Sequence, residues 1–154
     1  MEKAVFGAGC FWGVEHAFNK MQGVSEAVSG FMGGDVANPS YRQVCTGETG
    51  HVEVVEVSYD PEVVNYEQLL ETFWGVHDPT QLNRQGPDIG EQYRSVIFYK
   101  DEAQRQAAEA SKAALIESGR YPRQVVTTIE EAGPFYRAEE YHQRYYEKQQ
   151  LGRA

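Results

Sequence analysis

The sequence predicts an α+β fold in a single domain, and three observations carry that reading. The hydrophobic pattern switches between short apolar runs and helical spacing, so strands and helices both occur. The segments run strand, helix, strand, strand, helix, strand, then helix, strand, helix. At 154 residues, 41% hydrophobic and 24% charged, the chain is long enough to bury a core without disulfide staples.

Residues 3–8 form an apolar run that ends at Gly9, a strand. Phe11, Val14, Phe18 and Met21 then recur at helical spacing, with Gly23 where a helix stops. Residues 24–31 read as a second strand. Residues 33–50, rich in Gly, Asn, Pro, Ser and Thr, show no period and read as a long loop of the kind that carries function. Residues 52–59 are the clearest strand, stopped by Asp60-Pro61. Asn65 caps a helix that carries Tyr66, Leu69, Leu70, Phe73 and Trp74 on one face, and Gln68 completes a capping box. Pro79 to Gly90 is a second polar loop. A strand over 95–99 and an Ala-rich helix from Asp101 to about Ser118, closed by Gly119, follow. A strand over 124–129 and a polar helix from Ala138 to about Gln150 complete the set.

The first six elements are in the split βαβ order, which predicts a ferredoxin-like sandwich with a mixed sheet and an extra C-terminal strand and helix. No repeat or linker divides residues 1–154. That architecture fixes no function.

A net charge of -9, from 14 basic and 23 acidic residues, argues against nucleic acid and anionic membranes as partners. No apolar stretch reaches membrane-spanning length, and the first residues resemble no secretory leader, so a cytoplasmic protein is expected. Two cysteines separated by 35 positions, Cys10 and Cys45, make neither a disulfide framework nor a zinc motif. No metal and no cofactor are expected.

The chemistry concentrates at Gly9-Cys10-Phe11-Trp12-Gly13. A cysteine at a helix start meets free N–H groups and the positive end of the helix dipole, which favour the thiolate. Glycines on both sides permit a tight turn, and Phe11 and Trp12 offer an apolar wall. A buried structural cysteine is the other reading of the pentapeptide. Glu53 sits in an apolar strand, where a carboxyl holds its proton toward neutral pH. The alternation equally allows Glu53 and Glu56 to face solvent on an edge. Tyr41 and Tyr93 are two of ten tyrosines that could donate to a developing oxyanion. His16, His51, His77 and His142 are candidate partners for a nucleophilic thiol, as in a hydrolase or acyltransferase.

Eight blocks spread over the chain then resemble the class A peptide methionine sulfoxide reductases. They are Gly9–Gly13, Gly30-Phe31-Met32-Gly33-Gly34, Asn38-Pro39-Ser40-Tyr41, Gly50-His51-Val52-Glu53, His77-Asp78-Pro79-Thr80, Gln85-Gly86-Pro87-Asp88-Ile89-Gly90, Gln92-Tyr93-Arg94-Ser95 and Ala138-Glu139-Glu140-Tyr141-His142-Gln143. The resemblance implies reduction of the S epimer of methionine sulfoxide, free or in proteins. It implies Cys10 as nucleophile on the sulfoxide sulfur and Glu53 as the acid that protonates the oxygen. Tyr41 and Tyr93 would hydrogen-bond that oxygen with help from Asp88, and Phe11 and Trp12 would enclose the S-methyl group. A sulfenic acid on Cys10 would follow, reduced by thioredoxin, glutaredoxin or a small thiol. Members often carry recycling cysteines in a Gly-rich tail; here the only other thiol is Cys45. Direct external reduction with a structural Cys45 is therefore expected, against a Cys10–Cys45 disulfide. Phe31 stands where the family commonly has Tyr, a change expected to be neutral. A binding module for methionine sulfoxide is the reading from a third class; it predicts binding without turnover.

Overall fold

Residues 52–59 carry valine at four of eight positions and are buried along most of their length, and they take an interior place with a strand on either side. The computed structural model describes residues 1–146 and 148. In chain order these form β1 (Glu2–Ala8), α1 (Phe11–Asn19), β2 (Val24–Met32), α2 (Tyr41–Cys45), β3 (Val52–Tyr59) and α3 (Tyr66–Gly75). Then come β4 (Arg84–Gln85), β5 (Asp88–Ile89), a 3-10 turn (Glu91–Tyr93), β6 (Ser95–Tyr99), α4 (Glu102–Glu117), β7 (Thr128–Glu131), β8 (Tyr136–Arg137) and a second 3-10 turn (Glu140–His142).

The main sheet has the order β7-β6-β1-β3-β2-β8. Its centre, β6-β1-β3-β2, is antiparallel throughout, the ferredoxin-like arrangement that the element order predicts. β7 adds in parallel beside β6, which makes the sheet mixed, and β8 adds antiparallel beside β2. α1, α3 and α4 cover one face, over a core that includes Phe6, Phe18, Phe31, Val55, Leu70, Phe73 and Ala108. The Phe6 ring stacks on Phe18 and Phe73, each at 5.3 Å. The other face carries Val5, Met32, Val52, Val54, Val96 and Phe98, closed by irregular chain that includes Ala132 and Phe135.

Asn65 and Gln68 form the expected capping box at the start of α3. Four expectations need correction. The loop over 33–50 contains α2, capped by a second box from Ser40 and Gln43. The loop after Pro79 contains the small hairpin β4–β5. The strand expected over 124–129 pairs only from Thr128: Val125 is buried in the core, the Val126 N–H donates to the Pro79 carbonyl, and the Thr127 hydroxyl bonds Ser95 Oγ, none of them a ladder contact. The helix expected from Ala138 is instead a strap in which Gln143 hydrogen-bonds both backbone groups of Ser29 and Arg144 turns at φ 52°. Among the described residues, α-helical backbone there is found at Tyr145, Tyr146 and Lys148, and residues 147 and 149–150 of that expectation lie outside the described residues.

Candidate active site

β1 delivers Cys10 to the N-cap of α1 through Gly9, whose φ of 92° and lack of a Cβ are both required. A Cβ on Gly9 would sit 2.8 Å from Gln85 Cγ. Gln85 is fixed there because its Oε1 accepts from the Asp78 N–H at 2.8 Å and its Nε2 donates to the Asp78 carbonyl at 2.9 Å. Asp78 in turn accepts from the backbone and hydroxyl of Thr80. The two motif blocks around Asp78 and Gln85 thus brace the turn that presents the thiol.

The helix-start effect on Cys10 is present but loses. The N–H groups of Trp12 and Gly13 lower the thiol's pKa; burial, helped by the charges of Glu53 and Asp88, outweighs them and pushes it up to about 11. The resting group is therefore a thiol, contrary to the thiolate that the helix start alone suggests.

Glu53 occupies an interior strand and is 1% exposed, so the edge reading fails for it. Its Oε1 accepts from the Phe11 N–H at 3.2 Å, and its Oε2 has no hydrogen-bond partner among the described residues. Burial pushes the carboxyl up to about 8 against that one N–H, and the charge of Asp88 adds to the rise. Glu56 points to the opposite face and pairs there with Lys3 and Lys100.

Tyr41 and Tyr93 stand near the same carboxylate. Burial raises both phenols, and Glu53 is the next cause in each; Tyr93 reaches about 12. The Tyr41 hydroxyl interacts with Tyr93 and with the Cys45 thiol, itself raised mainly by burial. Cys10, Glu53, Asp88, Tyr41, Tyr93 and Cys45 thus form one electrostatically connected cluster, drawn from α1, β3, β5, α2 and the 3-10 turn before β6. Both cysteines are free thiols; Cys10 is half-buried and Cys45 exposed.

The aromatic pair divides. Phe11 is 1% exposed, packed on Phe31, Tyr41 and His142, whereas Trp12 reaches solvent. Trp12 is held by its Nε1–H donating to His142 Nδ1 at 3.1 Å and by stacking on Tyr145 at 3.9 Å. Glu139 accepts from the Tyr41 N–H at 3.1 Å. Sequence reasoning gave no role to Gln85, Glu139 or Gln143, and named His142 only as a candidate partner for the thiol. Each acts through specific hydrogen bonds that leave no periodic signal, and only their membership in the motif blocks pointed to them.

Two of the histidines, His51 and His77, are committed elsewhere. His51 accepts from the Gly34 N–H and bonds the Val36 carbonyl at 2.6 Å. His77 bonds the Phe73 carbonyl and Ser95 Oγ, and burial lowers it to about 4. Among the described residues no cluster of three or more His, Cys, Asp or Glu is placed to hold a metal, and no helix is long and apolar enough to cross a membrane.

The family model described as peptide methionine sulfoxide reductase matches residues 2–154. The chain is 64% identical over 147 residues to peptide methionine sulfoxide reductase MsrA of Methanothermobacter thermautotrophicus, covering 96% of this chain and 87% of the relative. Reduced Mxr1 from Saccharomyces cerevisiae superposes with a TM-score of 0.91 at 35% identity, over 99% of this chain and 88% of that one. Methionine sulfoxide reductase A of Corynebacterium diphtheriae gives 0.85 at 39% identity, over 98% and 76%. Mxr1 has also been solved in complex with Trx2. By its motifs, its fold and these likenesses, the chain belongs to the peptide methionine sulfoxide reductase family.

Proposed function

We propose that this protein reduces methionine sulfoxide to methionine, with Cys10 as nucleophile and Glu53 as general acid. One observation carries the assignment of roles. A carboxyl that is 1% exposed, raised to about 8 and left with one oxygen unpartnered among the described residues is a proton donor held ready beside a thiol. A sulfoxide has a partly positive sulfur and a partly negative oxygen, and its oxygen is a poor leaving group until protonated. Glu53 supplies that proton while the Cys10 sulfur bonds to the sulfoxide sulfur. Tyr41 and Tyr93 donate hydrogen bonds to the oxygen, and Asp88 bears on the cluster through its charge.

The balance closes on the protein. The sulfoxide sulfur gains two electrons and leaves as methionine. The oxygen and the thiol's proton end as Cys10 sulfenic acid. Two thiols of a reductant then give water, a disulfide and the free Cys10 thiol. Trp12 borders the S-methyl group, with Phe11 behind it. Fixed oxygen donors opposite an apolar wall favour one epimer, the S form.

A thioredoxin is the reductant suggested by Mxr1 with Trx2; glutaredoxin or a small thiol would serve the same chemistry. Two free thiols suit a reducing, cytoplasmic setting. Cys45 holds the Tyr41 phenol and is not needed for turnover, against a resolving Cys10–Cys45 disulfide. A single turnover without reductant tests both. Methionine formed while the protein gains one oxygen supports a Cys10 sulfenic acid; loss of two hydrogens instead makes Cys45 the resolving thiol. No methionine and an unchanged mass would sink the reductase reading.

A further inference from the structure

The block Asn38-Pro39-Ser40-Tyr41 contributes Tyr41 to the site, yet its first residues have no part in the chemistry. Asn38, Pro39 and Ser40 line a cavity of about 410 Å³ whose other side includes Tyr136, Arg137 and Glu139. Asn38 is held there at φ 49°, a conformation that few non-glycine residues adopt. The cavity adjoins the site twice over. Ser40 precedes Tyr41 and caps its helix, and Glu139 accepts from the Tyr41 N–H.

The edge of the sheet faces this space. Among the described residues β8 is the outermost strand, and it pairs with β2 through Gly30 opposite Arg137 and Phe31 opposite Tyr136. The Ala138 N–H donates to the Ser29 carbonyl at 3.0 Å, which makes Ser29/Ala138 a hydrogen-bonded position. Antiparallel ladders alternate, so Gly30/Arg137 is a non-bonded pair and the N–H and C=O of Arg137 point away from β2. No described residue bonds either group. They offer one donor and one acceptor spaced for an extended chain, on the rim of a cavity large enough for side chains.

We propose that this groove binds the main chain of a substrate peptide, which adds as a short strand to β8 beside Arg137 and places its methionine sulfoxide at Tyr41 and Cys10. The assignment rests on the reductase reading and adds to it a subsite that pairs with the main chain beside the methionine sulfoxide. Free methionine sulfoxide has no flanking amide to offer Arg137. Folded segments, whose amides are already paired, cannot pair with it either.

The test compares N-acetyl methionine sulfoxide methylamide with a blocked pentapeptide carrying methionine sulfoxide between pairs of alanines, dithiothreitol being the reductant. We expect kcat/KM at least about tenfold higher for the pentapeptide. Methylating its backbone nitrogens singly should remove that advantage at one position and spare the neighbouring one, as ladder alternation requires. Arg137→Pro, which deletes the outward N–H, should collapse the ratio of the two kcat/KM values toward one. Equal rates for both substrates, or N-methylation with no positional pattern, would overturn the groove while leaving the reductase reading intact. Turnover of neither substrate would overturn both. If Arg137→Pro loses both rates by misfolding, the methylated peptides decide alone.

Discussion

Glu53 and Cys10 are coupled, and their coupling sets how single substitutions should behave. Glu53→Gln keeps an oxygen for the Phe11 N–H but removes the proton donor, so kcat/KM should fall by about 10²–10⁴ with the far-UV circular dichroism unchanged. The same variant should alter stability against pH. The folded value of about 8 lies above the ordinary 4.5, so the folded state keeps a proton that the unfolded chain has released. That stability is complete below pH 4.5 and is lost as pH rises through 8. Melting temperatures of the wild type should therefore fall from pH 5 to 8 more steeply than those of Glu53→Gln, and equal slopes would mean that Glu53 is already ionised in the fold. Cys10 reports the other half of the pair. Its alkylation by iodoacetamide should be slow at pH 7 and rise toward a midpoint near 11. Glu53→Gln removes a negative neighbour and should move that midpoint down.

At the scale of elements, two capping boxes make an instructive pair. Asn65 with Gln68 was legible because a long apolar face follows it in α3; Ser40 with Gln43 carries the same signature but opens a helix of only 5 residues. A helix that short has no hydrophobic period to read, and it exists because its ends are capped and Glu139 holds its first amide. Ser40→Ala should cost about 1 kcal/mol locally. Exchange of the Val44 amide, which bonds the Ser40 carbonyl, should accelerate about fivefold while the global melting temperature barely moves. Methionine formation should slow as Tyr41 loses its seat; an unchanged rate would release Tyr41 from the mechanism. β7 failed for a different reason. Apolar residues signal burial, and Val125 is buried without ladder partners.

Across the whole molecule, the split βαβ core was legible because its strands and helices keep clean periods, and the cysteine site because glycine and aromatic residues crowd one turn. The strap after Phe135 was not legible, since its order comes from contacts about a hundred residues or more distant. Gln143 joins Ser29, His142 joins Trp12, and Glu139 joins Tyr41. Glu15, 1% exposed, accepts from Ser29 Oγ and the Arg144 N–H, so the strap also supplies a partner to a buried carboxyl group. The Phe135 ring lies so close over Gly30 that a Cβ there would come within 2.4 Å of it. Truncation after Pro134 would remove all of these at once and expose the β2 edge, while β6-β1-β3-β2 would keep its own ladder. The truncated protein should retain strand signal in circular dichroism, bind a hydrophobic dye, and lose at least about 100-fold in kcat/KM, because Trp12 and Tyr41 are released together. Near-normal turnover would show instead that α1 and α2 orient the site without the strap. The cysteine turn alone would then be the functional unit, and the strap's long-range bonds would serve stability only.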